Sequence, residues 1–365
     1  MRRLLLLGFV VAMLVLAGCV DGAGIETDEP ASDVGDDLED VDPDTTDADG
    51  DDDPDTTDAD GDDDPNGGVE GDLEIHHIDV GQADATLFIE PSGETMLVDS
   101  GDWRQDGSDV IEYLEEHDVD RIDRLVATHG HADHIGGHAA IIEHYETERD
   151  GIGTAYDSGV AATSQTYDRY LDAIEDYDVD LLIVEDGDYI EFGDATVDVL
   201  NPPEGDSGSD LHYNSLALHV EFGEFSYLTT GDAEADAEER MVDEHGDRLE
   251  SDAYQAGHHG STTSSTTPFL DRVAPDVAII SSAYDSQYGH PHDEILEDFA
   301  DRGIETYWTA VHGDVVLTTD GSDVTIQTAH EFSTDADDLL AEKPADDDQH
   351  SLTHPIDVAT ALPVR

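Results

Sequence analysis

Leu125-Val126-Ala127-Thr128-His129-Gly130-His131-Ala132-Asp133-His134 decides how this chain is read. An apolar strand expected over Arg124–Thr128 runs straight into three histidines and one aspartate within six residues. Residues two apart in an extended segment face the same side, so His129 and His131 can converge on one ion. Asp133 and His134 follow where the chain turns into a helix expected over Ile135–Thr147, and can face a second ion beside the first. Imidazole with carboxylate suits zinc, with manganese or iron as further options. Donors at the carboxyl end of a buried strand also occupy the usual crevice of an α/β layer.

Around this stretch, strands and helices alternate. Strands are expected at Leu73–Val80, Thr86–Ile89 and Met96–Asp99, then a helix at Asp109–His117. Further strands are expected at Leu181–Glu185, Thr196–Leu200, Leu216–Phe222, Phe225–Thr230, Val277–Ile280, Thr306–Thr309, Asp314–Thr318 and Val324–Thr328. Helices fall at Thr166–Tyr177, Ala233–Glu244, Thr267–Val273 and Glu294–Arg302. The class is therefore α/β or α+β, with sheets covered by helices. The chain has neither a Gly-x-Gly-x-x-Gly turn nor a phosphate-binding P-loop, which removes support for a nucleotide cofactor.

The His-x-His-x-Asp-His run resembles the signature of the metallo-β-lactamase superfamily. Leu228-Thr-Thr-Gly-Asp232, Gly257-His258-His259-Gly-Ser261 and Leu97-Val-Asp99-Ser-Gly101 resemble its later and earlier landmarks. Within the superfamily the chain resembles the extracellular domain of ComEC-type competence proteins and their free-standing relatives. That resemblance is carried by His77-Ile-Asp-Val-Gly-Gln-Ala-Asp84-Ala, Asn214-Ser-Leu-Ala-Leu218, Asp232, His258-His-Gly-Ser261 and Tyr288-Gly-His290-Pro291. Ala83 stands where those relatives usually have glycine, and His131 where many have aspartate. No stretch of these 365 residues resembles the competence channel, so the resemblance does not extend to DNA uptake.

The resemblance implies an αββα sandwich holding one or two divalent metal ions. It assigns His129 and His131 to one ion, Asp133, His134 and His258 to the other, and Asp232 as a bridge. The final ligand is His258 or His259, with His258 favoured. A further ligand to the first ion is His212 or Asn214, and the family match favours Asn214. Asp99 is expected to support the site, and Asp84 and Gln82 either act there or stabilise their loop.

The composition sets the surroundings. The 365 residues carry 93 acidic and 13 basic side chains, a net charge of -80, which excludes nucleic-acid recognition through a broad basic face. Residues 73–332 alone hold 61 acids against nine arginines. Such a surface repels itself in dilute buffer but is screened within ~3 Å at molar salt, which points to a halophilic source. The single cysteine excludes a disulfide framework.

Four zones follow. Residues 1–19 read as an export signal: Arg2 and Arg3, then an apolar run, then Leu16-Ala17-Gly18-Cys19, which resembles a lipobox whose cysteine becomes lipid-modified. That run is short for a membrane span. Residues 20–72 read as a disordered acidic linker, with Pro43–Asp53 repeated identically as Pro54–Asp64. Its spacing lacks the bidentate Glu of a calcium loop. Residues 73–332 form the hydrolase domain, and residues 333–365 an acidic tail expected to be disordered or loosely packed.

These readings together describe a metal-dependent hydrolase tethered by Cys19 to the outer face of the membrane. An ion can lower the pKa of its bound water to about 7. Asp133, His259 and His290 are the candidate catalytic residues, with the histidines donating a proton or steadying developing charge. Asn214 and Ser261 are candidate substrate contacts. A phosphodiester, DNA among them, is the expected substrate. Another ester or amide remains open because fold does not fix function, as does a non-catalytic binding role.

Overall fold

The computed structural model describes residues 69–344. The export signal, Cys19, nearly all of the acidic linker and the last residues of the tail lie outside the described residues.

The chain builds one sheet, then a second, then returns to the first. Leu73–His77 (β1), Thr86–Ile89 (β2), Thr95–Val98 (β3), Ile122–Ala127 (β4), Ile152–Asp157 (β5) and Asp180–Ile183 (β6) come first. Tyr189–Phe192 (β7), Ala195–Asn201 (β8), Ala217–Phe222 (β9), Phe225–Thr229 (β10), Ala253–Gln255 (β11), Val277–Ile280 (β12) and Glu305–Trp308 (β13) make the second sheet. Val315–Thr319 (β14) and Val324–Thr328 (β15) then close the first, giving the order β15-β14-β1-β2-β3-β4-β5-β6. The second runs β13-β12-β11-β10-β9-β8-β7.

Both halves follow one plan. Antiparallel strands come first, β1 to β3 and β7 to β10, joined by loops without a crossover helix. Parallel strands follow, and each parallel step needs a crossover helix. In the first half these are Ser108–Glu116 (α1), His138–Glu148 (α2) and Gln165–Asp176 (α3). In the second they are Ala235–His245 (α4), Thr267–Val273 (α5) and Asp293–Arg302 (α6). Two short helices, Thr309–His312 (α7) and Ala336–Glu342 (α8), complete the α-helices among the described residues.

Strand alternation sorts side chains into three cores. Met96, Val98 and Val126 point between the sheets, where they meet Leu218, Val220, Tyr227 and Ile279. Leu97, Leu125 and Ala127 point the other way, onto Leu114 of α1, Ile142 of α2 and Tyr170 of α3. Ala217, Leu228 and Ile280 point outward from the second sheet, onto Met241 of α4, Phe269 of α5 and Phe299 of α6. The result is helix, sheet, sheet, helix: the expected αββα sandwich.

Some elements differ from the sequence expectation. Strands β5, β7 and β11 were not anticipated: Ile152-Gly153-Thr154 carries a glycine, β7 alternates buried and exposed at a sheet edge, and β11 has three residues. Helix α2 begins at His138 rather than Ile135, because Gly136 and Gly137 form a turn first. The packed chain also continues past residue 332. Ala336 and Leu339 of α8 are buried in the third core, and Thr334 accepts from the Thr306 amide at 2.9 Å.

Candidate metal centre

The parallel strands β4, β11 and β12 and the strand β10 beside them deliver their carboxyl ends to one crevice. The loop after β3 supports it. Asp99 sits in the left-handed region (φ 59) and accepts from the Thr128 amide at 2.9 Å and the Thr128 hydroxyl at 2.7 Å. Its carboxylate also lies 2.7 Å from Nδ1 of His134. That bond places the His134 proton on Nδ1 and turns a bare Nε2 inward, as an ion requires. His259 is fixed in the same sense: its Nδ1 donates to the Ser281 carbonyl at 2.9 Å.

Two glycines make the crevice this tight. A Cβ on Gly136 would lie 2.1 Å from the Trp103 nitrogen, and one on Gly231 would lie 2.5 Å from the Ser215 hydroxyl. Gly136 thus lets the histidine loop touch the loop after β3. Gly231 lets the β10 turn, with Asp232, press against β4 and the Ser215 loop.

Two groups of donors share Asp232. His129, His131, His212 and Asp232 form one; Asp84, His134, Asp232 and His259 form the other, and within each the ligand atoms lie within 4.8 Å of one another. In the first, Nε2 of His129 is 3.6 Å from Asp232 Oδ2, and the His131 and His212 rings are 4.9 Å apart. In the second, all four residues are buried. Asp84 Oδ1, His134 Nε2, Asp232 Oδ1 and His259 Nε2 are buried atoms without a hydrogen-bond partner. His134 Nε2 comes within 3.2 Å of Asp232 Oδ1, but at an angle that makes no hydrogen bond. Buried polar atoms are nearly always partnered, so two carboxylate oxygens and two imidazole nitrogens left bare together fit a cation.

The electrostatics agree. Burial lowers the basicity of His134 and His259. The carboxylates of Asp232 and Asp99 around the first, and Asp84 and Asp232 around the second, outweigh it and lift both well above the usual imidazole range. Burial raises Asp232, but His134 and His259 hold its carboxyl well below the usual carboxylate range. His129, by contrast, is held well below the imidazole range, chiefly by burial. An ion would displace the protons that His134 and His259 otherwise take.

The remaining expected residues fall as follows. Asp133 stands at the rim, half-buried, with Oδ2 3.6 Å from His259 Nε2. His258 and His259 both have left-handed backbones (φ 49 and 56), which set their rings 6.1 Å apart. The buried group contains His259. His258 stands outside it with His212 and Glu234, its Nδ1 3.3 Å from Glu234 and its Nε2 3.5 Å from Asp232.

Asn214, favoured over His212 from sequence, has its amide engaged by the Asp210 carbonyl and the Ser207 hydroxyl. The Ser261 hydroxyl is likewise turned to Thr263, at 3.1 Å. His290 lies between His258 and His259, with ring centroids 5.7 and 6.2 Å away. Burial and the neighbouring histidines push it down to about 3, so it is neutral. Gln82 donates to its Nδ1 at 3.2 Å, while the Ala283 amide donates to the Gln82 carbonyl oxygen at 3.4 Å. A backbone N–H only donates, so the Gln82 amide orientation is determined. The His290 proton is therefore on Nε2. Asp84 and His212 enter the ligand groups although sequence reading left both undecided, and Glu234 was not singled out.

A model of the metallo-beta-lactamase superfamily matches residues 78–283, more than half of the chain, and the chain belongs to that superfamily. It is 28% identical over 262 residues to ComE operon protein 3 of Bacillus subtilis (strain 168), covering 67% of this chain and 33% of that one. It is 28% identical over 245 residues to Competence protein ComA of Neisseria gonorrhoeae, covering 67% and 32%. The chain thus spans about a third of the length of these curated relatives. Among solved structures, the metallo-beta-lactamase fold protein YhfI from Bacillus subtilis aligns with a TM-score of 0.45 at 12% identity, covering 68% of this chain and all of that one. Family and site together define a hydrolase-family protein with candidate clusters for divalent metal ions.

Proposed function

We propose that this chain is a metal-dependent phosphodiesterase whose substrates include DNA, exported and held at the outer face of the membrane through lipidated Cys19. The observation that carries the catalytic part is the buried set of Asp84, His134, Asp232 and His259, each with one unpartnered ligand atom, beside His129, His131 and His212. Mixed nitrogen and carboxylate donors suit zinc first, and manganese second. Similarity to the two competence proteins supports a nucleic-acid or phosphodiester substrate.

Divalent ions in these positions supply Lewis acidity and acidify water toward neutral pH. The chain's own residues do the rest. Asp232 faces both donor groups and holds them in register. Asp133, ionised at the rim, accepts a hydrogen bond from the attacking water and aims it. His290, neutral with its proton on Nε2, donates to a phosphoryl oxygen or to the leaving oxygen. His258, joined to Glu234, sits where it can assist.

The acid-rich surface is read as fitting the protein to molar salt, with the linker as a stalk. The test is purified protein in molar KCl, analysed for metal and offered bis-p-nitrophenyl phosphate, DNA and a β-lactam. Diester cleavage lost on His131→Ala is expected. Cleavage of the β-lactam alone, or an inert metal-loaded protein, would overturn the proposal.

A further inference from the structure

A cleft of about 290 Å³ opens beside the metal centre, and its floor includes Asp133 and Gln82. Two aromatic residues line it, Trp103 and Tyr288, and they are 47% and 57% exposed. Trp103 is held in place rather than loose. Its amide donates to the Ala132 carbonyl at 3.0 Å, inside the histidine loop, and Gly136 permits that contact. Arg104 lies over the Trp103 ring, 4.9 Å from its centroid, and is itself anchored by Asp102. The Tyr288 ring is 5.7 Å from that of His290.

We infer that this cleft is a nucleobase subsite, in which an unstacked base of single-stranded nucleic acid lies against Trp103 and Tyr288 while the adjoining phosphodiester reaches the metal centre. This rests on the phosphodiesterase reading and narrows it. Net charge carries part of the case. At -80, the protein gains nothing from long-range attraction of a polyanion. Affinity must come from short-range contacts at the ions and from stacking, which works with every base and survives salt. Among the described residues lining the cleft, Arg104 adds a cation, suited to a base plane or a phosphate. A cleft of this size takes one nucleoside, and a base within a duplex offers no free face to it.

The chain has two tryptophans, Trp103 and Trp308, and Trp308 is fully buried with its ring nitrogen bonded to Ser282. Trp103 fluorescence is thus a built-in reporter. Metal-loaded full chain in molar KCl would be titrated with dAMP, with oligo(dT), and with ribose 5-phosphate, which lacks a base. Saturable quenching by the first two is expected, absent with ribose 5-phosphate and in Trp103→Phe. Tyr288→Ala should weaken the quenching by dAMP and oligo(dT) roughly tenfold. Quenching without diester hydrolysis would keep the subsite and sink the phosphodiesterase reading. Diester hydrolysis with no base-dependent quenching would overturn the subsite alone. Equal quenching by ribose 5-phosphate would also overturn it.

Discussion

The Asp99 carboxylate holds His134 Nδ1 at 2.7 Å and Thr128 at two points, so one buried side chain sets both the ring's tautomer and the start of the histidine loop. Asp99→Asn keeps the shape but can present an N–H to Nδ1, driving the proton to Nε2, where it blocks an ion. Metal affinity should fall roughly 10–100-fold. Competition against a chromophoric chelator measures it, with circular dichroism confirming an unchanged fold.

His258 and His259 should separate cleanly. His259→Ala removes a buried donor and is expected to lower bound metal per chain. His258→Ala should retain the metal, because its ring pairs with Glu234 outside the buried group. Elemental analysis of the two variants after gel filtration decides the matter; equal loss in both would refute this assignment.

Gln82→Glu reverses the hydrogen bond to His290. A carboxylate accepts from Nδ1–H, so the neutral ring carries its proton on Nδ1 and loses the Nε2 donor. The rate constant kcat on a diester should drop roughly tenfold or more with metal content unchanged. Imidazole nitrogen shifts, assigned against His290→Ala, should show the proton moving to Nδ1.

Gly136→Ala forces a Cβ to 2.1 Å from the Trp103 nitrogen and 2.3 Å from the Asp102 carbonyl carbon, both backbone atoms. Neither loop can yield without breaking the Trp103–Ala132 hydrogen bond. Denaturant unfolding should show a loss of about 1–3 kcal/mol or more, and metal binding should weaken with it.

Glu238 on α4 is fully buried and receives the amides of Ser265 and Thr266 ahead of α5. Burial pushes its carboxyl up to about 7 against those two donors, from 4.5. A raised carboxyl favours the protonated folded state, so its contribution is complete below about pH 4.5 and is lost as pH rises through about 7. The loss is of order 3 kcal/mol. Thermal melts at constant salt between about pH 5 and pH 8 should decline less steeply in Glu238→Gln. An identical slope would show that Glu238 stays ionised.

Much of the centre was legible because it lies in one short stretch. His129, His131, Asp133 and His134 follow a strand that is plain from the apolar run Leu125-Val126-Ala127, and Asp232 closes an equally plain strand. The choice between His258 and His259 was not legible. Two consecutive non-glycine residues at positive φ follow no apolar pattern, and they decide which ring turns inward. His212 lies in a loop with no periodicity, and its approach to His131 depends on contacts between distant segments. Asn214 was misleading because its side chain serves its own loop. Helix α8 sits in a highly acidic stretch, yet Ala336 and Leu339 suffice to dock it.

The donors come from both halves of the sandwich: Asp84, His129, His131 and His134 from the first sheet's loops, and His212, Asp232 and His259 from the second's. Any ion seated there is a rivet through the seam between them. Stripping it would leave the ligand atoms of Asp84, His134, Asp232 and His259 buried without a partner, a desolvation cost that weakens the seam between the two layers. A cell short of metal would then risk losing the molecule itself as well as its chemistry, since a gaping sandwich is what proteases attack.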